Sequence, residues 1–143
     1  MRKRTALDRT LYDELVEMHR VHGFTAVKLH CEELLAGMVA SEEKLLAVDE
    51  FCVALLYQDP IKSVELTKIR LDRYPNESIG LPISCLAGCY SQLGDRDQTV
   101  HYCQTGLNSE IPLRYELNLL SILRRYKDVS KYLTRVFKKF SPL

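Results

Sequence analysis

Two stretches of this chain match each other at an offset of 35 residues, and the matched positions follow the spacing of a helix–turn–helix unit. The first stretch contributes Val48, Phe51, Cys52, Leu55, Asp59, Val64, Lys68 and Leu71, which fall in order on Ile83, Leu86, Ala87, Tyr90, Gly94, Thr99, Cys103 and Gly106. Each stretch is closed by a proline, Pro75 or Pro112. A unit of this kind cannot bury its apolar face alone and must stack on neighbouring units. The repeat therefore predicts a stack of helix pairs, whose extended surface is suited to holding other proteins.

Helical periodicity runs through almost the whole chain, and Gly and Pro interrupt it at regular intervals. The pattern predicts eight helices in four antiparallel pairs, and hence an all-α fold. The predicted starts lie near Leu7, Thr25, Ser41, Pro60, Glu77, Asp97, Pro112 and Val129. Thr25, Ser41 and Asp59 are suited to capping helix N-termini, and Pro60 is suited to the first helical position. The second helix is expected to end at Gly37, the first near Val21 and the fifth near Gln92.

Composition limits the class of protein. A chain of 143 residues is long enough for one domain that buries roughly two-thirds of its unfolded surface. No apolar run approaches the roughly 20 residues of a membrane span, and no signal-peptide core follows the basic N-terminus. We therefore expect an intracellular protein without a membrane partner. The five cysteines are odd in number and lack framework spacing, which predicts small buried side chains in a reducing compartment.

Residues 83–112 resemble the tetratricopeptide repeat, because large, small, aromatic and glycine residues follow in the order Ile83, Ala87, Tyr90 and Gly94. The resemblance implies a right-handed superhelix of about four antiparallel helix pairs. In that family the first helix of each pair lines a concave face that binds peptides or helices. Residues 1–143 would form one such domain. Its best repeats would be 48–76 and 83–112, with atypical terminal pairs at 7–37 and 113–140.

A narrower resemblance covers residues 11–107. The order of the motifs is similar to that in the N-terminal region of scaffold subunits of the anaphase-promoting complex, a ubiquitin ligase of the cell cycle. The motifs are Ala26-Val27-x-Leu29, Leu34-Leu35, Ser41-Glu42-Glu43 and Leu86-Ala87-x-Cys89-Tyr90. The resemblance implies a self-associating, non-catalytic scaffold that forms a homodimer. The alternative is a monomeric tetratricopeptide chaperone that holds an amphipathic helix, such as those for type III secretion needle subunits.

Aromatic and terminal apolar residues are the candidates for contact with a partner. Tyrosine is favoured at interfaces, and the last predicted helix ends in apolar residues that either pack inward or are covered by a second molecule. The candidate protein-binding residues are Tyr12, Leu15, Tyr57, Tyr90, Tyr115, Val136, Phe137 and Phe140.

The sequence contains only weak indications of metal binding or catalysis. His19, His22, His30 and Cys31 are of zinc-ligand type, but residues 30 and 31 project about 100° apart on a helix. Cys85 and Cys89 share a helical face, which favours core packing over a disulfide or a metal half-site. No nucleophile–base pair, phosphate loop or paired-carboxylate motif is readable, so we expect no enzyme activity, no cofactor, no metal and no small-molecule substrate.

The net charge of +1 hides an asymmetry. From residue 113 to 143 there are eight Lys or Arg and two acidic residues, a local charge of +6, whereas the span 5–112 carries −8 from nine basic and seventeen acidic residues. Such a chain can attract its own copy or an acidic partner. Lys131, Arg135, Lys138 and Lys139 share a predicted helical face that could bind phosphate with steep salt dependence. The acidic remainder of the chain argues against a nucleic-acid partner.

Overall fold

The computed structural model describes residues 10–37 and 40–139, and within these ranges every regular element is an α-helix. The helices are α1 (Leu11–His22), α2 (Phe24–Leu34), α3 (Glu42–Gln58), α4 (Pro60–Arg73), α5 (Gly80–Leu93), α6 (Arg96–Leu107), α7 (Leu113–Leu123) and α8 (Ser130–Phe137). The all-α prediction is confirmed. None of these helices is both long and apolar enough to cross a membrane.

Consecutive helices pack in pairs, and the pairs are stacked along the chain. The first helices lie side by side, because α3 contacts α1 and α5, and α5 contacts α7. The second helix of one pair also packs against the first helix of the next, as α4 does on α5 and α6 on α7. The chain therefore presents two layers of helices, with α1, α3, α5 and α7 forming one of them.

Short polar side chains cap four of the eight described helices at their N-termini. Ser41 accepts a hydrogen bond from the backbone N–H of Lys44, and Asp59 accepts one from that of Lys62, as predicted. Pro60 follows Asp59 at the first helical position. Thr10 forms a capping box with Asp13, and Asp95 caps α6 by accepting from Gln98.

Three helix boundaries differ from the predicted positions by one to three residues. The helix α2 begins at Phe24 rather than at Thr25, because Gly23 with φ 85° makes a turn that leaves Thr25 already helical. The same helix stops at Leu34, before Gly37. The helix α5 begins at Gly80, three residues after the predicted start, because residues 74–79 form the connection that closes over α4. The predicted start of the first helix at Leu7 lies outside the described residues.

The two central pairs align with one offset in their first helices and another in their second helices. In the first helices, buried Val48 and Cys52 correspond to buried Ile83 and Ala87 at the predicted offset of 35 residues. In the second helices the buried sets are Ser63, Leu66, Thr67 and Arg70 in α4 and Thr99, Cys103, Gly106 and Leu107 in α6. Ser63, Thr67 and Arg70 therefore match Thr99, Cys103 and Gly106 at an offset of 36.

One extra residue in the second turn causes this shift. Asp59 both ends α3 and caps α4, whereas Gly94 ends α5 and Asp95 caps α6. Gly94 adopts φ 75°, a left-handed conformation that glycine takes at little cost. The constant offset of 35 was therefore wrong by one residue in the second helices: Lys68, which it aligned with buried Cys103, is exposed, and Val64 is only partly buried against the core.

The core consists of two clusters of buried side chains that meet at α5. Cys85 and Cys89 belong to the cluster formed with α1 to α4, whereas Ile83 and Ala87 belong to the cluster formed with α6 to α8. Because α5 contributes to both clusters, it is the central helix of the stack.

The C-terminus of α4 also fastens the first pair to the second. The Arg73 guanidinium donates to the carbonyls of Leu35 at 2.9 Å and Ala36 at 2.7 Å, and the Tyr74 hydroxyl donates to that of Gly37 at 2.9 Å. These donors satisfy carbonyls at the end of α2 that have no partner within that helix.

Candidate protein-binding groove

An open groove crosses the layer formed by α1, α3, α5 and α7. It consists of neighbouring depressions, and adjacent depressions share Leu46, Glu50, Val53 and Leu81 as lining residues. The largest has a volume of about 360 Å³ and is lined from three helices, by residues that include Val53, Leu81 and Asn118. A shallow tract divided in this way is better matched to a polypeptide segment than to one enclosed small molecule. We call this tract the groove.

The groove residues follow helical stripes beside the buried stripes. On α3, Leu46, Glu50, Val53 and Tyr57 recur at intervals of four, three and four residues, which places them on one side of the helix. On α5, Leu81, Ser84, Gly88 and Ser91 recur at similar intervals. This second stripe is most open to solvent on α3, at Leu46, Glu50 and Tyr57, whereas on α5 it is half-buried and Ser84 is buried.

The groove combines apolar surface with a few polar groups. Leu46 is 51% exposed and Tyr57 is 77% exposed, which are large values for side chains of this size and hydrophobicity. The Asn118 amide donates to the Ser84 hydroxyl, so a polar bridge crosses from α7 to α5. Acidic Glu43 and Glu50 lie towards α1, and basic Arg125 lies on the α7 side. A bound segment would therefore meet opposite charges at its two ends.

A close approach between Gly80 and Tyr115 shapes one margin of the groove. A Cβ atom built on Gly80 would overlap the Tyr115 ring, with three ring atoms as its nearest neighbours. The Arg114 guanidinium lies 4.5 Å from the centroid of this ring and donates to its hydroxyl. The absence of a side chain at position 80 therefore allows Tyr115 to lie against the start of α5.

We expect Gly80→Ala to destabilise the protein by about 1–3 kcal/mol, because the Tyr115 ring must leave its site to admit the new methyl group. Urea unfolding would measure the loss. Gly88→Ala is the matched control, since its Cβ would meet only the Leu56 Cδ1 atom, at the end of a side chain that can rotate away. Equal stability of the Gly80 variant and the wild type would contradict the prediction.

A buried ion pair lies beneath the same margin. The Arg70 guanidinium donates to both carboxylate oxygens of Asp49, at 3.0 and 3.3 Å, and both side chains are almost fully buried. It also donates to the carbonyls of Tyr74, Glu77 and Ser78, which belong to the connection between α4 and α5. Burial raises the pKa of Asp49 to about 6, against the opposing attraction of Arg70. The pair holds the connection that leads into Gly80, and so supports the groove from below.

Three of the predicted contact residues line the groove, namely Tyr12, Tyr57 and Tyr115. Tyr90 lies elsewhere, stacked on Tyr102 with ring centroids 5.7 Å apart and with the Lys68 ammonium over its face. Sequence reasoning missed Leu46, Val53 and Leu81, although an apolar stripe beside the core stripe could have indicated them.

The prediction that Leu15 and Val136 contact a protein partner was wrong. Both are 0% exposed and pack within the chain, so neither is available to a partner. Leu15 lies in the core of the first two pairs, and Val136 anchors α8 on the rest of the second cluster. Phe137, in contrast, is 62% exposed on α8. Phe140 lies outside the described residues.

The cysteines and histidines occupy ordinary structural positions. All five cysteines are buried and free, which confirms core packing for Cys85 and Cys89. Burial raises the pKa of Cys31 to about 12, and the His19 ring packs edge-on against Phe51. Within the described ranges, no three His, Cys, Asp or Glu side chains are grouped so that they could hold a metal ion.

The predicted basic face of the last helix is divided by internal contacts. Arg135 donates to the backbone carbonyl of Leu107, and Lys139 pairs with buried Glu116. Lys131 on α8 and Lys138 directly after it are exposed. The four cations therefore do not form one uncommitted phosphate-binding row.

Comparison with known proteins identified no match to a protein-family model, a curated protein or a solved structure.

Proposed function

We propose that this chain is a non-catalytic scaffold of the tetratricopeptide type that holds a protein segment in the groove. The observation that carries the proposal is the open tract of neighbouring depressions across α1, α3, α5 and α7, in which the apolar side chains of Tyr57 and Leu46 are open to solvent. The side-by-side packing of the first helices supports a repeat architecture of this type, in which one layer of helices forms the binding surface.

The chemistry of the groove supports binding rather than catalysis. Its described lining includes no histidine that could serve as a base for Ser84, Ser91 or Cys85. Cys85 is buried beneath the surface and lies 3.4 Å from the Ser63 hydroxyl, so its thiol is engaged with the core. The useful features of the groove are its apolar area and the charges near its two ends.

The biological setting proposed here follows the sequence resemblance. The chain would be a self-associating module of a multisubunit assembly, such as the anaphase-promoting complex. The second candidate is a monomeric chaperone that holds one amphipathic helix, and the open tract with a tyrosine at its rim favours that mode of binding too. Light scattering over a range of concentrations separates the two, since only the first gives a mass above the 16.5 kDa of one chain.

Site-specific photo-cross-linking tests the groove directly. A photoreactive amino acid would be placed at Tyr57 in the groove and, as the matched control, at Ile61 on α4; these residues are 77% and 66% exposed. In extracts of cells that express the protein, we expect a discrete cross-linked polypeptide from position 57 and none from position 61. Val53→Glu should abolish that product by placing a charge on the groove floor. Equal labelling from both positions, or a product unaffected by Val53→Glu, would overturn the proposed site.

A further inference from the structure

The charged residues that line the groove are separated by helix. The acidic lining residues all belong to α3, and the basic lining residues both belong to α7. They are Glu42, Glu43, Asp49 and Glu50 on the first helix, and Arg114 and Arg125 on or directly after the second. The helix between them, α5, contains no charged residue. The groove therefore changes from negative at α3, through neutral at α5, to positive at α7.

The exposed charges of the groove are not paired within the described part of the chain. Asp49 is buried and held by Arg70, but Glu43, Glu50 and Arg125 are exposed. Among residues 10–37 and 40–139, no ion pair involves any of these three side chains. They can therefore pair with charged groups of a segment that enters the groove.

The groove offers few hydrogen-bond partners to the backbone of a bound segment. The Ser84 hydroxyl accepts a hydrogen bond from the Asn118 amide, and the Ser91 hydroxyl lies 3.1 Å from the Tyr126 hydroxyl. Backbone groups in the middle of α3, α5 and α7 are bonded within their own helices. An extended segment would leave buried backbone groups without partners, which costs free energy. A helix satisfies its own backbone, and so matches this surface better.

The width of the groove sets the spacing of charges on such a helix. Packed helix axes lie about 8–10 Å apart, so the α3 and α7 sides are separated by about 16–20 Å. A helix that crosses this distance at about 1.5 Å per residue needs about 11–13 residues. Positions i, i+4, i+7 and i+11 share one face over this length. Positions i+4 and i+7 then lie over the uncharged α5, where Leu81 and Gly88 line the largest depression.

We infer that the segment held in the groove is an amphipathic helix of about three turns, with a basic residue at the α3 side and an acidic residue at the α7 side. Apolar residues between them cover α5 and are removed from water. The opposite charges at the two ends set which way round the helix lies, because the reversed orientation places like charges together. This inference rests on the proposed function and specifies the chemistry of the partner.

Basic residues of this chain itself are the alternative source of positive charge for the α3 side. Thr10, the first described residue, lines the same depression as Glu43 and Glu50. Four basic residues precede it and lie outside the described residues, namely Arg2, Lys3, Arg4 and Arg9. A variant with serine at these four positions separates their contribution from that of a partner. We expect this variant to bind with the same charge preference as the wild type.

Three synthetic peptides of about 15 residues test the inference. They share a helix-forming sequence with blocked termini, leucine at position i+4 and tryptophan at i+7. The mixed peptide carries Lys at i and Glu at i+11, and the others carry two Lys or two Glu. The protein contains no tryptophan, so the peptide's fluorescence can be excited selectively to follow binding. At about 50 mM salt, we expect the mixed peptide to bind about three- to tenfold more tightly than either of the others.

Charge reversal on each side of the groove should change the preferred peptide. The variant Glu43→Lys/Glu50→Lys should bind the peptide with two Glu most tightly, and Arg125→Glu should favour the peptide with two Lys. The double variant Glu32→Lys/Glu33→Lys is the matched control, since both residues are exposed on α2 and neither lines the groove. It should keep the preference of the wild type. A change of preference, rather than a loss of binding, also shows that the variants remain folded.

Equal affinity of the wild type for all three peptides, or preferences that do not change in the groove variants, would overturn the inference. A preference for lysine that appears only in the serine variant would assign the α3 side to the chain's own N-terminal residues, and would equally overturn it. Absence of binding at about 1 mM peptide, with the cross-link from Tyr57 retained, would overturn the helical partner but not the groove. Loss of the cross-link as well would overturn the proposed function.

Discussion

Replacing Arg70 with methionine is expected to destabilise the protein by about 3–5 kcal/mol, the cost typical of breaking a buried ion pair by removing one partner. Arg70 is fully buried and donates to Asp49 and to three backbone carbonyls. Methionine fills much of the same volume but donates no hydrogen bonds. The substitution leaves the Asp49 carboxylate buried without its cation and the connection before α5 without its donors.

Urea unfolding at neutral pH measures this effect, and Arg73→Met is the matched control. Arg73 lies on the same helix and also donates to backbone carbonyls, but its side chain is exposed to solvent. We expect its replacement to cost only about 1–2 kcal/mol, because the freed carbonyls can be hydrated. The double variant Asp49→Leu/Arg70→Met should recover part of the loss by removing the stranded charge. Similar losses for Arg70→Met and Arg73→Met would show that burial of the pair is unimportant.

The burial of Asp49 also predicts an unusual dependence of stability on pH. The pKa of Asp49 is raised from 3.8 to about 6 by burial, so the folded protein holds a proton on this carboxyl more tightly than the unfolded chain does. Its stabilising contribution is therefore fully present below about pH 4 and is lost as the pH rises through about 6. A shift of this size corresponds to about 3 kcal/mol in the free energy of unfolding.

Comparison with Asp49→Asn isolates this contribution from the other carboxylates, which titrate in the same range. The free energy of unfolding of both proteins would be measured by urea titration from about pH 4 to about pH 7. We expect the wild type to lose about 2 kcal/mol relative to the variant over that interval, because at pH 4 the carboxyl of the unfolded chain is already partly ionised. A difference that is constant, or that favours the wild type at higher pH, would show that the attraction of Arg70 outweighs the cost of burying the carboxylate.

The repeat in the sequence led to the correct helix pairs but to the wrong face of one helix. The 35-residue match aligned Lys68 with buried Cys103, yet the side chain buried at that level of α4 is Thr67. Gly94 accounts for the discrepancy, because its left-handed conformation adds one residue to the turn between α5 and α6. A sequence match with a constant offset does not reveal such an inserted residue. The offsets of 35 and 36 both place side chains that a helix can accommodate on its buried face.

The candidate site shows the same limit of prediction from sequence alone. Tyr57 and Tyr12 were predicted as contact residues and line the groove, whereas Leu15 was predicted with them and lies in the core. Tyrosine at the surface is recognisable from residue type, since its ring and hydroxyl suit a partly wet interface. A leucine on an amphipathic helix is compatible with either face until the neighbouring helices are placed.

The sequence by itself determined the features of this protein that depend on local interactions. The all-helical fold follows from periodicity, and Ser41 and Asp59 mark helix starts because each side chain bonds to a backbone N–H only three residues away. Only the tertiary structure decided the register of α4, the burial of Arg70 against Asp49, and the side of each first helix that remains open as the groove. These features depend on contacts between segments far apart in the chain, for which the local pattern of residues carries no distance information.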